Sequence, residues 1–246
     1  MNKRYITLVL VAVLFSACGS SSSDTKNNDG KGAIDLAEYF PSKTMNKIFS
    51  KETLVGGVSS THAEYQQIEV TKDSITTTIN TVVTEKVLFS DTNITTTDFE
   101  DNSTDTMFRH VDIKDTLFSE KINHSEETDL GKITTKLDVN CKLKGKETKF
   151  EKDAHTYSGD LLNMECIVEG TMVYAVKPSL LTVVASDLNG SHEIYNKSDF
   201  YFQKGLGVVA EIDDDCITTK NLPFVDDRKK ADECIETAHT YKYYLP

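Results

Sequence analysis

Ile133-Thr134-Thr135-Lys136-Leu137-Asp138-Val139-Asn140-Cys141-Lys142-Leu143 places an aliphatic or small side chain at every odd position and a polar or charged one at every even position. A period of two belongs to an extended chain, whose side chains alternate between faces, so this stretch reads as a strand with one wet face and one core face. Leu162, Met164, Cys166, Val168, Gly170, Met172, Tyr174 and Val176 repeat the pattern at even positions. Ile75, Thr77, Ile79, Thr81, Val83, Val87 and Phe89 share one parity and read as one face of an extended run. Helical period is rare. The best helix candidate is Asp226–Ala238, with Ala231, Ile235 and Ala238 on one stripe. Ten or more strands must close or stack, because a long open edge invites aggregation. The chain is therefore expected to be all-β, an antiparallel sheet forming an open or half barrel or a two-layer sandwich, with at most one or two short helices. Alternation does not choose between barrel and sandwich.

The 246 residues are 38% hydrophobic and 27% charged, enough for one domain with its own core. Asp and Glu number 39 against 27 Lys and Arg, a balance that argues against a nucleic-acid partner, since phosphate binding needs a basic face. No phosphate loop or dinucleotide fingerprint is present, and no cofactor is implied.

Lys3 and Arg4 precede an uncharged run, Tyr5–Phe15. Eleven residues of helix span about 16 Å, roughly half the hydrocarbon thickness of a bilayer, so the run reads as a signal peptide over residues 1–17. Leu14-Phe15-Ser16-Ala17-Cys18, followed by Gly19 and four serines, resembles the lipobox of bacterial lipoproteins, with Phe15 a mild departure. The resemblance implies cleavage between Ala17 and Cys18 and acylation of Cys18 with palmitate-class chains. It also implies a lipid-anchored place in the cell envelope, facing periplasm or exterior. Gly19 after the cysteine favours the outer membrane by the sorting rules of such proteins. Stable anchoring takes two or more acyl chains. Loss of residues 1–17 removes Lys3 and Arg4 and no acid, which takes the charge from −12 to −14. The stretch 18–32 has no apolar residue after Cys18 and reads as a tether to a single β domain, 33–246.

Asn189-Gly190, between Leu180–Leu188 and Ser191–Phe202, is the strongest hairpin signal. Lys204-Gly205 is read as reversing Asp199–Gln203 into Leu206–Ile212. Asp35-Leu36-Ala37-Glu38-Tyr39-Phe40-Pro41 resembles the opening of β-rich outer-membrane lipoproteins without assigned activity, and Tyr201–Val209 is similar to their late hairpin. The absence of Trp departs from that pattern.

Four cysteines lie beyond Cys18, an even number in an exported protein: Cys141, Cys166, Cys216 and Cys234. Three pairings are possible. If Cys141 faces Cys166 across an antiparallel pair, Leu143 meets Met164, Val139 meets Val168 and Phe150 meets Tyr157, with a polar turn at Lys152-Asp153-Ala154-His155. That agreement of register, face and turn makes Cys141–Cys166 the most economical bridge. Cys216–Cys234 would then staple the acidic connection before the last strand.

Asp213-Asp214-Asp215, read as a loop, with Asp226 and Asp227 across that staple, is the weak candidate for a Ca²⁺ site. The glycine and glutamate of an EF-hand loop are missing from it. His62-x-Glu64 and His192-Glu193 read as surface pairs, and there is no Gly-x-Ser-x-Gly elbow. No catalytic residues are assigned. The sequence supports a noncatalytic structural, adaptor or binding module attached to the membrane through Cys18, with an envelope protein as partner. The alternative is a carrier or receptor for a hydrophobic, acyl-chain ligand, motivated by the pliable Met107, Met164 and Met172. An exported hydrolase has no local support.

Overall fold

The computed structural model describes residues 32–55, 58–99, 104–127, 131–152, 154–176, 190–220 and 236–246. The elements are β1 (Ile34–Asp35), a single 3₁₀ turn (Leu36–Tyr39), β2 (Met45–Val55), β3 (Val58–Val70), β4 (Ser74–Ile79), β5 (Val82–Phe89), β6 (Asn93–Asp98), β7 (Thr104–Phe108), β8 (His110–Val111), β9 (Thr116–Glu127), β10 (Gly131–Lys152), β11 (His155–Val176), β12 (Gly190–Gln203), β13 (Gly207–Lys220) and β14 (Glu236–Leu245). Twelve strands form one antiparallel sheet in the order β7-β6-β5-β4-β3-β2-β14-β13-β12-β11-β10-β9. Two six-strand meanders, β2–β7 and β9–β14, are thus joined through the β2–β14 pair. The sheet curls until its edge strands β7 and β9 approach, so the fold is an all-β, nearly closed barrel.

The alternating stretch Ile133–Leu143 lies in β10. Leu137, Val139, Cys141 and Leu143 point inward and are buried, while Lys136, Asp138 and Lys142 face water. Cys141 and Cys166 are directly opposed and form a disulfide, closing a separation of 25 residues. On loop-entropy grounds such a bridge contributes about 3 kcal/mol. The expected register holds at Val139↔Val168, Leu143↔Met164, Phe150↔Tyr157 and Lys152↔His155. Between them, irregularities at Leu143/Gly145 and Glu147/Lys149 shift the ladder by one residue and restore it. A bulge turns a strand and re-aims its side chains. Phe150 and Tyr157 stand an odd number of residues from Leu143 and Met164, so the pair lies on the other face, where it packs with Leu161 against Tyr201, Ala210 and Tyr243. The Tyr157 hydroxyl donates to the Tyr244 carbonyl at 2.6 Å, and burial pushes that phenol up to about 12.

One rim of the barrel is closed by the chain's entry segment. Asp35 caps the 3₁₀ turn by accepting from the Ala37 amide at 3.0 Å and accepts from Nε and Nη2 of Arg109 at 2.8 and 2.7 Å. Tyr39 donates to Asp160 Oδ1 at 2.8 Å, and the Gly205 amide donates to the Glu38 carbonyl. Ile34, Leu36 and Tyr39 are buried in the main core with Ile68, Ile75, Val87, Ile94, Leu143 and Leu162. The expected reversal at Lys204-Gly205 occurs. Gly205 (φ +74°) and Gly207 (φ +78°) adopt the left-handed region there, and a Cβ at Gly207 would press on Pro41 Cδ at 2.9 Å.

Ile75–Phe89 is not one extended run but the hairpin β4–β5, turning at Asn80-Thr81 with both residues at positive φ (47° and 76°). An irregularity between Thr77 and Thr78 rephases it, so Val87 is buried while Val83 is exposed. The strand Ser191–Phe202 does not pair with Leu180–Leu188: β12 lies between β11 and β13, with Tyr174 opposite Gly190. The segment 180–188 itself lies outside the described residues, as do Asn189, Cys234, Asp226, Asp227, Ala17 and Cys18. The helix expected at Asp226–Ala238 also lies outside them, except for Glu236–Ala238, which belong to β14.

Candidate functional site

Inward-pointing positions are not uniformly apolar. At the closed rim they form the main core. On β9–β12 they form a second cluster of Leu137, Val139, Cys141, Cys166, Val168 and Phe200, against which Phe118, Ile122 and Met164 pack. Between these and the opposite rim, the remaining strands turn charged side chains into the lumen. Strand register explains the placement. Phe49 opposes Glu64, and Lys51 opposes both His62 and Lys242. Lys242 opposes Glu211, and Glu85 opposes Asp98. Neighbours across a ladder share a face, so the lumen gathers acids and lysines from many separate strands.

Lys242 Nζ lies 2.7 Å from Glu64 Oε1 and 3.9 Å from Glu211 Oε2, above the Phe49 ring at 4.9 Å. Burial alone would lower its ammonium, but Glu211 and Glu64 outweigh that and hold it above the usual lysine range. Burial would raise the Glu64 carboxyl, and the charge and hydrogen bond of Lys242 bring it below the ordinary value. Gln66 Nε2 donates to the same Glu64 oxygen at 2.8 Å. Lys47 is 2% exposed, donates to the Val208 carbonyl at 2.8 Å and sits 5.0 Å from the Tyr244 ring centroid. Burial, with Lys242 adding repulsion, pushes it down to about 7.

On the side of the open seam the lumen is acidic. Glu85 on β5 is pushed up to about 7 by burial and by Asp98 on β6. Glu120 on β9 is pushed up to about 7 by burial and by Asp105 on β7. Glu85 and Glu120, with Lys47, therefore change charge close to neutral pH.

Cys141 and Cys166 meet as a disulfide. Cys216 lies in β13, opposite Tyr195 and Thr237, and its proposed partner Cys234 is outside the described residues. The acidic run 213–215 is strand, not loop, because β13 continues through it to Lys220. Its residues therefore alternate: Asp213 is buried in the lumen, while Asp214 points outward and meets His239 Nδ1 at 2.7 Å. Asp215 occupies the next β13 position, opposite Asn196 and Ala238. Among the described residues no three His, Cys, Asp or Glu side chains converge to hold a metal ion. Glu64, read from sequence as a surface residue, is a lumen residue. Met107 and Met164 pack against the core clusters. A cavity of about 310 Å³ lies along β9–β11, lined by Ile122, Leu137 and Gly170 with their neighbours. A Cβ at Gly170 would run into the carbonyl oxygen of Lys136, which is why that inward position carries no side chain.

The lumen ion pairs were invisible to the sequence reading. A Glu or Lys in an alternating strand looks like its wet face unless the partner strand is known. At the rim opposite the entry segment, Val58 (72% exposed), Val82 (60% exposed), Val83, Phe99 and Val173 present apolar side chains to solvent. Comparison of the chain with protein-family models, with curated proteins and with solved structures gives no match.

Proposed function

We propose that this chain is a noncatalytic, lipid-anchored binding module of a bacterial cell envelope, attached through acylated Cys18 and engaging an envelope protein at the rim away from its tether. The observation that carries the reading is the polarity of the barrel's two ends. The chain enters at Gly32 and wedges Ile34, Leu36 and Tyr39 into one rim, so a tether over 18–32 leaves from that end. The opposite rim holds Val58, Val82, Val83, Phe99 and Val173 in solvent. Grouped exposed apolar side chains on a folded domain mark interaction surfaces. The lipobox resemblance supplies the anchor and the envelope address.

The reading is tested by producing the full chain in a diderm bacterium with an alkyne analogue of palmitate. Label on wild type and none on Cys18→Ala is expected. A photo-crosslinking residue at Val58 or Phe99 should then capture one discrete envelope protein, and the same residue at Ser119 should not. No label, or identical crosslinking at all three positions, would overturn the reading. Native mass spectrometry distinguishes the carrier alternative, which requires extra mass lost on organic extraction.

A further inference from the structure

On the outside of the barrel, Leu245 on β14, Ile48 on β2 and Tyr65 on β3 stand in one row across adjacent ladders. They are 40%, 39% and 57% exposed. Strand parity puts them outside, since Lys47 and Phe49, on either side of Ile48, are buried. Their strand neighbours on that face are Asn46 and Ser50 in β2, Ala63 and Gln67 in β3, and Tyr243 in β14, none of them charged. Charge returns on this face at Glu52 and Glu69. The outer face of β9–β12 is built differently: Lys121 meets Asp138, and Lys144 and Lys197 share Glu165 and Asp199.

The row continues an apolar wall that the chain covers with its own hairpin. On β12–β14, Tyr201, Ala210 and Tyr243 pack against Phe150, Tyr157 and Leu161 of the β10–β11 hairpin. The Tyr157 hydroxyl reaches the Tyr244 carbonyl, and that cover leaves Leu245, Ile48 and Tyr65 to solvent. Three side chains fall well short of the roughly 800 Å² that each partner gives to a stable protein–protein contact. A surface to which the chain is already tethered asks for less. The anchor holds the wall nearby at high effective concentration, and each immersed apolar side chain adds to the attachment. Thirteen residues, 19–31, separate Cys18 from the described chain. A coil of that length spans about 20 Å and an extended chain about 45 Å. Met45 packs on the core that the entry segment closes, and Ile48 lies about 10 Å further along β2. The bare row is therefore within reach of the anchored end.

We propose that this wall rests on the lipid leaflet that holds the acyl chains of Cys18, with Tyr65, Ile48 and Leu245 immersed where headgroups meet hydrocarbon and the charged β9–β12 wall in water. The inference rests on the lipid-anchor reading above.

The test exploits a chain without tryptophan. Tyr65→Trp and Ser119→Trp each introduce one, and the acylated full chain is reconstituted into phosphatidylcholine vesicles with plain or brominated acyl chains. Bromine quenches a fluorophore that reaches the acyl region. Both variants should float with the vesicles. Brominated lipid should remove about half of the Tyr65→Trp emission and leave Ser119→Trp unchanged, and the loss should persist at high salt because the contact is uncharged. Adding Ile48→Ser and Leu245→Ser to Tyr65→Trp should restore the emission without preventing flotation; both side chains are exposed, so the fold is not at stake. Flotation with an unquenched Tyr65→Trp, or equal quenching at both positions, would overturn the proposal while leaving the anchor reading intact and the wall to a protein partner. Failure to float would overturn the anchor and this inference together.

Discussion

Single residues show where local chemistry and the fold disagree. Thr81 holds φ at 76° in the β4–β5 turn, a conformation in which a β-branched side chain crowds its own backbone. Thr81→Gly removes that clash and should raise the unfolding free energy by about 1 kcal/mol, read as a higher urea midpoint with an unchanged slope. The same position explains a misreading. Two-residue hairpin turns favour Asn-Gly, and Asn80-Thr81 offers only the first half of that signal. Asn189-Gly190 carries the full signal, yet β12 takes β11 as its partner, since strand pairing is decided over many residues and a dipeptide speaks only for its own backbone. Asp213 shows the same limit. An acidic triplet suggests a loop until the ladders on both sides are known, and only they reveal that Asp213 is buried while Asp214 is exposed.

At the scale of elements, the long hairpin β10–β11 was the most legible part of the chain. Its two strands alternate strictly, each bears a cysteine, and a single register satisfies every pair from Gly131↔Val176 to Leu143↔Met164. The bulges beyond Leu143 were not legible. Beyond them Phe150 packs on Tyr201 and Tyr243, which are distant in sequence. The entry segment depends on Asp35, which both caps the 3₁₀ turn and receives Arg109. Arg109 in turn draws the Asp35 carboxyl below its ordinary value, against the effect of burial. Asp35→Ala is expected to cost about 2 kcal/mol, combining a lost cap with a partly exposed charged pair. The loss should be accompanied by faster proteolysis near residue 35. If proteolysis and midpoint were both unchanged, the segment would not be a structural closure.

For the whole molecule, the lumen makes stability depend on pH in two opposed ways. Glu85 and Glu120 bind their protons more tightly when folded, at about 7 against a reference of 4.5. The stability associated with them is therefore complete below 4.5 and is lost as pH climbs toward 7. Lys47 is shifted downward, to about 7 from 10.5, so its contribution is present above 10.5 and lost as pH falls toward 7. Urea midpoints at pH 5, 7 and 9 should accordingly show a minimum near 7. Glu85→Gln with Glu120→Gln should flatten the acid side of that minimum, and Lys47→Met the alkaline side. A midpoint that rises steadily from pH 5 to 7 would contradict these assignments. None of this was visible in the sequence, because the interior groups belong to strands whose adjacency is set by the closure of the sheet.

The pairing of β2 with β14 has a kinetic meaning. Every other ladder of the main sheet joins strands that are neighbours along the chain and forms by short-range zipping. The β2–β14 ladder, Ile48↔Leu245 to Val55↔Ala238, joins the first long strand to the last. The entropy of closing so large a loop slows such a step, and it cannot begin before the C-terminal strand has emerged. A chain delivered N-terminus first would hold the β2–β7 meander with β2 as a naked edge until its final residues arrive. That waiting interval is when the molecule is most open to capture by chaperones or by other copies of itself.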